Sequence, residues 1–177
     1  MISYVRHGER GDYAGEEERA LVELEFDSHL TKLGCKQAEL TGKFIAEKFG
    51  EKTIIMVVSP FLRTIMTANQ IAKSLPKIHQ NTFFLHEEVG EYLKTPDFDR
   101  NIYNDIYIKS KGEERIGNTY CDFTNPEISL KWNLFQSDKT FLSIFPENED
   151  HLHKKIEIFT EELLKYFLEN FNPETHQ

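Results

Sequence analysis

The apolar run Ile54–Val58 restricts the fold of this chain more than any other sequence feature. Five consecutive apolar residues, most of them β-branched, are typical of a short strand buried on both faces, and such strands occur mainly in parallel sheets covered by helices. Ser59 and Pro60 follow directly and end the run. The run therefore predicts an α/β fold with a parallel sheet.

The segments around this run alternate between strand-like and helix-like patterns. Strands are predicted over 2–6, 54–58 and 82–86, and helices over 31–49, 61–74 and 151–168. Thr31 is the predicted N-cap of the first helix, and Gly50 is predicted to close it. The alternation predicts a mostly parallel sheet flanked by helices. Residues 92–146 lack a dominant period and are predicted to form an irregular, cap-like insertion over the active-site end.

Length, charge and cysteine usage narrow the class of protein. The 177 residues suit a single domain, and the formal net charge of −9 disfavours nucleic acid or an acidic membrane as a partner. Cys35 and Cys121 form neither a disulfide framework nor a metal-ligand pattern, which favours reduced thiols. No apolar run is long enough to cross a bilayer. We expect a single soluble domain in the cytoplasm.

An arginine and a histidine stand at the end of the first predicted strand. Arg6 and His7 stand there beside Gly8, and the carboxyl ends of parallel strands are where ligands bind in such sheets. A neutral imidazole can attack phosphorus, and a guanidinium offers a planar fork to phosphate oxygens. From these residues alone, a strand end followed by a solvated, charged turn is the more ordinary interpretation.

Two further groups of residues follow the next two predicted strands. Arg63 lies near the start of a predicted helix, where free N–H groups favour anions, although a surface arginine is the simpler alternative. Three glutamates follow the third strand, and a carboxylic acid there could protonate a leaving oxygen. The alternative is a solvated acidic loop. The three glutamates are Glu87, Glu88 and Glu91.

Three motifs, taken together, resemble the histidine phosphatase superfamily, whose fold is phosphoglycerate-mutase-like. They are VRHGER at 5–10, LTKLGCKQA at 30–38 and SPFLRTIMTA at 59–68. The RHGER form, with Arg10, is most similar to the Sts-type branch. The last helix, preceded by PENEDHLHKK, is similar to a helix of the same superfamily.

The resemblance implies a role for each candidate residue. It makes His7 the nucleophile that becomes phosphohistidine. The arginines that would hold the phosphoryl group are Arg6, Arg63 and Arg10. Glu91 is the expected proton donor because its distance along the chain from Arg63 resembles that of the Sts-type branch, with Glu87 and Glu88 in reserve. The implied chemistry needs neither a metal ion nor a cofactor, and the implied partner is a phosphorylated protein or small metabolite.

One feature of the superfamily is not identifiable in this sequence. A second histidine normally ends a strand after the last helix, whereas His176 follows no apolar run and is expected to be a tail residue. The chain is therefore expected to lack its C-terminal strands, to bind phosphate weakly and to turn over substrate slowly or not at all. Three functions stay open: a metal-free phosphomonoesterase, a catalytically impaired scaffold whose open sheet edge takes a protein partner, and a mutase.

Overall fold

A computed structural model of the chain describes residues 1–22, 24–93, 99–100, 102, 128–132 and 146–171. Its helices are α1 (Glu16–Arg19), α2 (Lys32–Phe49), α3 (Leu62–Ala72) and α4 (Glu149–Asn170). Its strands are β1 (Ile54–Val58), β2 (Ile78–Leu85) and β3 (Ser129–Trp132). Short 3-10 turns cover Gly11–Tyr13 and Glu87–Val89.

The three strands form one parallel sheet in the order β1-β2-β3. Val58 stands opposite Leu85, and Leu85 stands opposite Trp132, so the carboxyl ends of all three strands are level. Segments that leave these ends therefore start from one edge of the sheet. The predicted α/β class with a parallel sheet flanked by helices is confirmed.

Helices cover both faces of the sheet because successive strand residues point to opposite sides. One face packs its buried residues against α3, and the other packs Phe84 and the half-buried Val57 against Leu163 of α4. The core on the α3 side contains Val58, Ile65, Ala68, Phe83 and Leu85. Helix α2 packs on α3 rather than on a strand of the described sheet.

The three predicted helices are present, and local signals account for their ends. The Thr31 hydroxyl accepts a hydrogen bond from Gly34 N at 3.0 Å, as an N-cap does, and Gly50 closes α2 with a φ of 59°. Helix α4 begins at Glu149, two residues earlier than predicted, because the Asn148 side chain caps it. Helix α3 ends at Ala72 rather than at residue 74.

The predicted strand 2–6 is wrong. Residues 1–9 form neither helix nor strand, and Tyr4 is 92% exposed. A β-prone segment becomes a strand only when a neighbour pairs with its backbone, and within the described residues no strand pairs with this one. The outer edge of β1 is likewise unpaired among the described strands.

Strand β2 is longer than predicted, because it begins at Ile78 instead of residue 82. Residues 79–81 in its first half are polar, and two of them, Gln80 and Asn81, are left-handed, with φ of 54° and 47°. The pairing with β1 also shifts register after Ile54, as at a β-bulge. Because polar residues and a bulge interrupt the apolar pattern of a strand, the sequence does not indicate this half of β2.

Strand β3 lies within 92–146, which was predicted to be an irregular insertion. Residues 129–132 instead pair with β2 and belong to the sheet. A four-residue strand in a long polar segment has no clear sequence pattern, and its place is set by the partner strand. Most of 92–146 and His176 lie outside the described residues, so the cap-like insertion stays a prediction.

Two further observations bear on the expected environment. Cys35 is disulfide-bonded, so the prediction of reduced thiols is wrong for this residue. Disulfides are rare in cytosolic proteins, and Cys35 therefore gives no support to a cytoplasmic location. Among the described helices, none is both long and apolar enough to cross a membrane.

Candidate active site

His7 lies half-buried in the N-terminal loop, and its ring is held by a hydrogen bond. Its Nδ1 donates to the Gly8 carbonyl oxygen at 2.8 Å. Because a carbonyl oxygen can only accept, this bond places the ring proton on Nδ1 and leaves a lone pair on Nε2. The imidazole is thus oriented with its unprotonated nitrogen available for attack.

The surroundings of His7 favour this neutral form. Burial lowers the pKa of His7 below its ordinary value of 6.5, and the positive charges of Arg63, Arg10 and Arg6 lower it further. The hydrogen bond to the Gly8 carbonyl acts in the opposite direction but does not prevail. All three arginines singled out from the sequence are therefore close enough to His7 for their charges to act on its ring.

Close backbone packing fixes the loop that carries His7. A Cβ on Gly8 would lie 2.3 Å from the carbonyl oxygen of Gly34, and a Cβ on Gly34 would lie 2.4 Å from the carbonyl oxygen of Glu9. Only glycine fits at both positions without moving a backbone. The loop and the first turn of α2 are therefore in direct contact. This contact, and not the predicted strand, supports His7.

Thr67 joins the same loop to α3. Its hydroxyl accepts a hydrogen bond from Gly8 N at 3.2 Å and donates one to the Arg63 carbonyl oxygen at 2.8 Å. One hydroxyl thus links the backbone next to His7 with the backbone of Arg63. This link explains how two residues far apart in sequence come to share one site.

Arg63 lies in the first turn of α3, directly after the carboxyl end of β1, and is only 3% exposed. The Asp27 carboxylate accepts a hydrogen bond from Leu62 N at 2.7 Å and so holds the start of this helix. The guanidinium lies 4.1 Å from the centre of the Phe61 ring and forms an ion pair with Glu91. Arg63 is therefore a buried, firmly placed cation and not a surface side chain.

Arg10 is held by residues that follow it in the chain. Its Nε donates to Asp12 Oδ1 at 2.9 Å, and a second nitrogen donates to the other carboxylate oxygen of Asp12. The guanidinium also lies 4.6 Å from the centre of the Tyr13 ring. These contacts fix Arg10 in the turn after His7, whereas the side chain of Arg6 is exposed.

The three candidate acids lie in or just after the 3-10 turn that follows β2, and their environments differ. Glu91 pairs with Arg63. Burial and, to a smaller extent, the charge of Glu88 raise the pKa of Glu87 to about 7, while the charge of Lys155 opposes the shift. The pKa of Glu88 is lowered, because its hydrogen bond and ion pair with His86 outweigh the effect of its burial.

Sequence reasoning missed the residues that hold the site together. Thr67, Asp27 and Asp12 act through contacts with the candidate residues or with the helix start beside them, and no spacing in the sequence indicates the contacts of Thr67 and Asp27. Asp12 had one available signal, since an acid two residues after a basic residue can pair with it in a turn. Within the described chain, no group of three His, Cys, Asp or Glu side chains could hold a metal ion.

Comparisons with known proteins agree with this fold. No curated protein sequence matches the chain. Among solved structures, the chain is similar to the ecdysone phosphate phosphatase EPPase from Bombix mori in complex with tungstate, with a TM-score of 0.55 and 17% sequence identity. The match covers 93% of this chain but only 66% of the other, so this chain spans slightly less than two thirds of its length.

A family model gives the stronger assignment. The model of the histidine phosphatase superfamily (branch 1) matches residues 2–109, which is more than half of the chain. The match contains the loop with His7 and the start of α3 with Arg63. This chain belongs to the histidine phosphatase superfamily.

Proposed function

We propose that this chain hydrolyses phosphomonoesters without a metal ion and that His7 accepts the phosphoryl group. The observation that carries the proposal is the state of the imidazole. Its Nδ1 proton is committed to the Gly8 carbonyl, and burial and three arginines keep the ring neutral. A neutral imidazole with a free Nε2 lone pair is the form that can attack phosphorus.

The proposed reaction has two steps. In the first, Nε2 of His7 forms a bond to phosphorus, the ester P–O bond breaks, and a carboxylic acid gives its proton to the leaving oxygen. In the second, water attacks the phosphohistidine, the P–N bond breaks, phosphate leaves and the carboxylate takes a proton from the water. Arg6, Arg10 and Arg63 would hold the negative charge on the phosphoryl oxygens throughout, and such fixed donors usually contribute the largest part of the rate.

Two of the three glutamates suit the role of acid for different reasons. Glu91, the donor implied by the resemblance, contacts the guanidinium that would hold the phosphoryl group. Glu87 has a pKa of about 7 and therefore holds a proton near neutral pH, as a general acid must. Glu88 is the least suited, because its pKa is lowered. We keep Glu91 as the proposed acid and Glu87 as the alternative.

The proposed substrate class is a phosphomonoester of a protein or a small metabolite. The similar structure is named as a phosphatase of ecdysone phosphate, and it was solved with tungstate, an oxyanion shaped like phosphate. At 17% identity that likeness concerns the fold. Membership of the Sts-type branch is a proposal that rests on Arg10 in the RHGER motif.

The test should detect a single turnover as well as repeated turnover. Excess protein would be mixed with radiolabelled para-nitrophenyl phosphate, and acid-labile label on the protein would be measured beside release of para-nitrophenol. The proposal expects both signals in the wild type and neither in His7→Ala. Arg63→Met should lose most of the signal, whereas Arg19→Met, at an exposed arginine of α1, is the matched control that should keep it.

Absence of label in a folded wild type that still binds orthovanadate would refute hydrolysis through His7. That result would support the second candidate function, a scaffold that retains an anion site and binds a protein partner. The observation that favours a scaffold is the edge of β1, which no described strand covers, together with the exposed apolar side chains of Ile2 and Val5. Uncovered strand edges commonly pair with another chain.

A further inference from the structure

A buried ion pair at the start of α4 takes no part in the steps of the proposed reaction. Lys155 Nζ lies 2.6 Å from Glu147 Oε1, and the two side chains are only 5% and 8% exposed. Burying two charges costs free energy that their attraction seldom exceeds, so a buried pair is weak evidence for a purely stabilising role. The pair is better explained by the neighbouring segment that it holds in place.

The pair is fastened to the segment that carries the candidate acids. Glu147 Oε2 accepts a hydrogen bond from Leu93 N at 2.7 Å, and Glu147 N donates one to the Leu93 carbonyl oxygen at 2.8 Å. Both backbone groups of Leu93 are thus bound to Glu147, and Lys155 holds the Glu147 carboxylate. Leu93 lies two residues after Glu91, so the connection ends close to that side chain.

The other end of this segment is fastened to the sheet. His86 N donates to the Val58 carbonyl oxygen at 2.9 Å, and Gly90 N donates to the Glu87 carbonyl oxygen at 2.7 Å within the turn. The segment Glu87–Leu93, here called the acid turn, is therefore held at β1 on one side and at α4 on the other. It contains every carboxyl group considered as the proton donor.

The acid turn also has a packing contact with the arginine site. The buried side chain of Leu93 belongs to the same hydrophobic cluster as Phe61, whose ring lies 4.1 Å from the Arg63 guanidinium. Displacement of Leu93 would therefore disturb Arg63 through Phe61 as well as through Glu91. The charge of Lys155 also acts on Glu87 from α4, against the opposing charge of Glu88.

From these contacts we propose that Glu147 and Lys155 are positioning residues, which hold the acid turn so that its carboxyl groups meet Arg63 and the phosphoryl group beside His7. The proposal rests on the function proposed above, because it assigns these residues to the same site. Neither residue touches the reacting atoms. Lys155 acts on Glu147, Glu147 acts on Leu93, and Leu93 sets the acid turn.

Replacing Lys155 tests each link of this chain of contacts. Lys155→Met would leave the Glu147 carboxylate buried without its cation and would remove a positive charge near Glu87. We expect Leu93 N–H to exchange faster with solvent and Glu87 to titrate at higher pH. We also expect the affinity for orthovanadate to fall about fivefold or more, in the range of typical coupling between separate positions, because displacement of Leu93 would move Phe61 and with it the Arg63 guanidinium. Lys155→Arg should restore part of each property, because it keeps the charge.

A matched control exists on the same helix. Lys165 is exposed on α4 and lies 3.9 Å from Glu169, so Lys165→Met removes an equal charge without touching Glu147. Measurements would combine amide hydrogen exchange, carboxyl carbon NMR titration and orthovanadate binding. If Lys155→Met folds and matches Lys165→Met in all three, the proposal is overturned.

A second variant covers the case in which Lys155→Met does not fold. Glu147→Gln keeps the shape and an acceptor oxygen but leaves the Lys155 charge unopposed, so Glu87 should titrate at lower pH, opposite to the effect of Lys155→Met. An unprotected Leu93 amide in the wild type would by itself contradict the proposal. Failure of the wild type to bind orthovanadate would instead refute the proposed function, while exchange at Leu93 would still report on the positioning contacts.

Discussion

Gly34→Ala should disturb the site from a helix that bears none of the candidate residues. The added Cβ would lie 2.4 Å from the Glu9 carbonyl oxygen and 2.8 Å from Glu9 N. These are backbone atoms, so no side-chain rotation can relieve the contact, and the loop carrying His7 must move away from α2. The expected result is a displaced His7 ring in a protein that still folds.

Two opposing effects set the size of the change in stability. Alanine is favoured over glycine within a helix by roughly 0.8–1 kcal/mol. Forcing an extra methyl group into a packed contact costs about 1–3 kcal/mol. The net loss is therefore about 0–2 kcal/mol, and each kcal/mol lowers Tm by roughly 2–4 °C for a chain of this size.

Gly42→Ala separates this steric cost from its effect on the site. Gly42 is also in α2, and a Cβ there would lie 2.6 Å from the Ile71 carbonyl oxygen, which is also a backbone contact. Ile71 lies about two turns of α3 away from Arg63. Both variants should lose similar stability in thermal unfolding, but only Gly34→Ala should weaken orthovanadate binding and move the NMR titration of His7. Equal anion affinity and equal His7 titration in the two variants would refute the reasoning.

Three further predictions concern titration and anion binding. The pKa of His7, measured by NMR titration, should lie below 6.5. Because the unfolded chain then binds the proton more readily than the folded chain, this group should lower the free energy of unfolding as pH falls below 6.5. A normal pKa would contradict the site geometry. Burial raises the pKa of Glu87 from 4.5 to about 7, so Glu87 should lower stability as pH rises between these values, and Glu87→Gln should abolish that slope in pH-dependent unfolding. Glu91→Gln removes the carboxylate that pairs with Arg63 and so makes the guanidinium more available to an anion. Because such pairs are worth about 0.2–1 kcal/mol, the affinity for orthovanadate should rise by up to about fivefold, while any turnover falls. Unchanged affinity would show that Glu91 does not compete for the guanidinium.

Local signals in the sequence were sufficient for most of the secondary structure. The Ile54–Val58 run is a strand with the predicted bounds, and the helices that begin after Thr31 and near Phe61 are where their caps and breakers indicate. Such features depend on neighbours within a few residues, so the sequence contains them directly. The residue types of the site can also be identified from the sequence, because the motifs around His7 and Arg63 resemble those of the superfamily.

The support of His7 was decided by tertiary structure alone. Its predicted strand is absent, because a strand requires a partner backbone and none of the described strands supplies one to residues 2–6. The loop is fixed by Gly34 and Thr67, which lie far along the chain. Pairing across such distances is a property of the folded chain, and β propensity does not report it.

The roles of the three glutamates depend on tertiary structure for the same reason. In sequence they are three glutamates within five residues, and only the resemblance to the Sts-type branch favoured Glu91. Folding places one against Arg63, buries another with a raised pKa and pairs the third with His86. The sequence by itself determined which residue types are available to the site. Burial and the surrounding charges determined what each can do, because a carboxyl group's pKa depends on its environment in the folded chain.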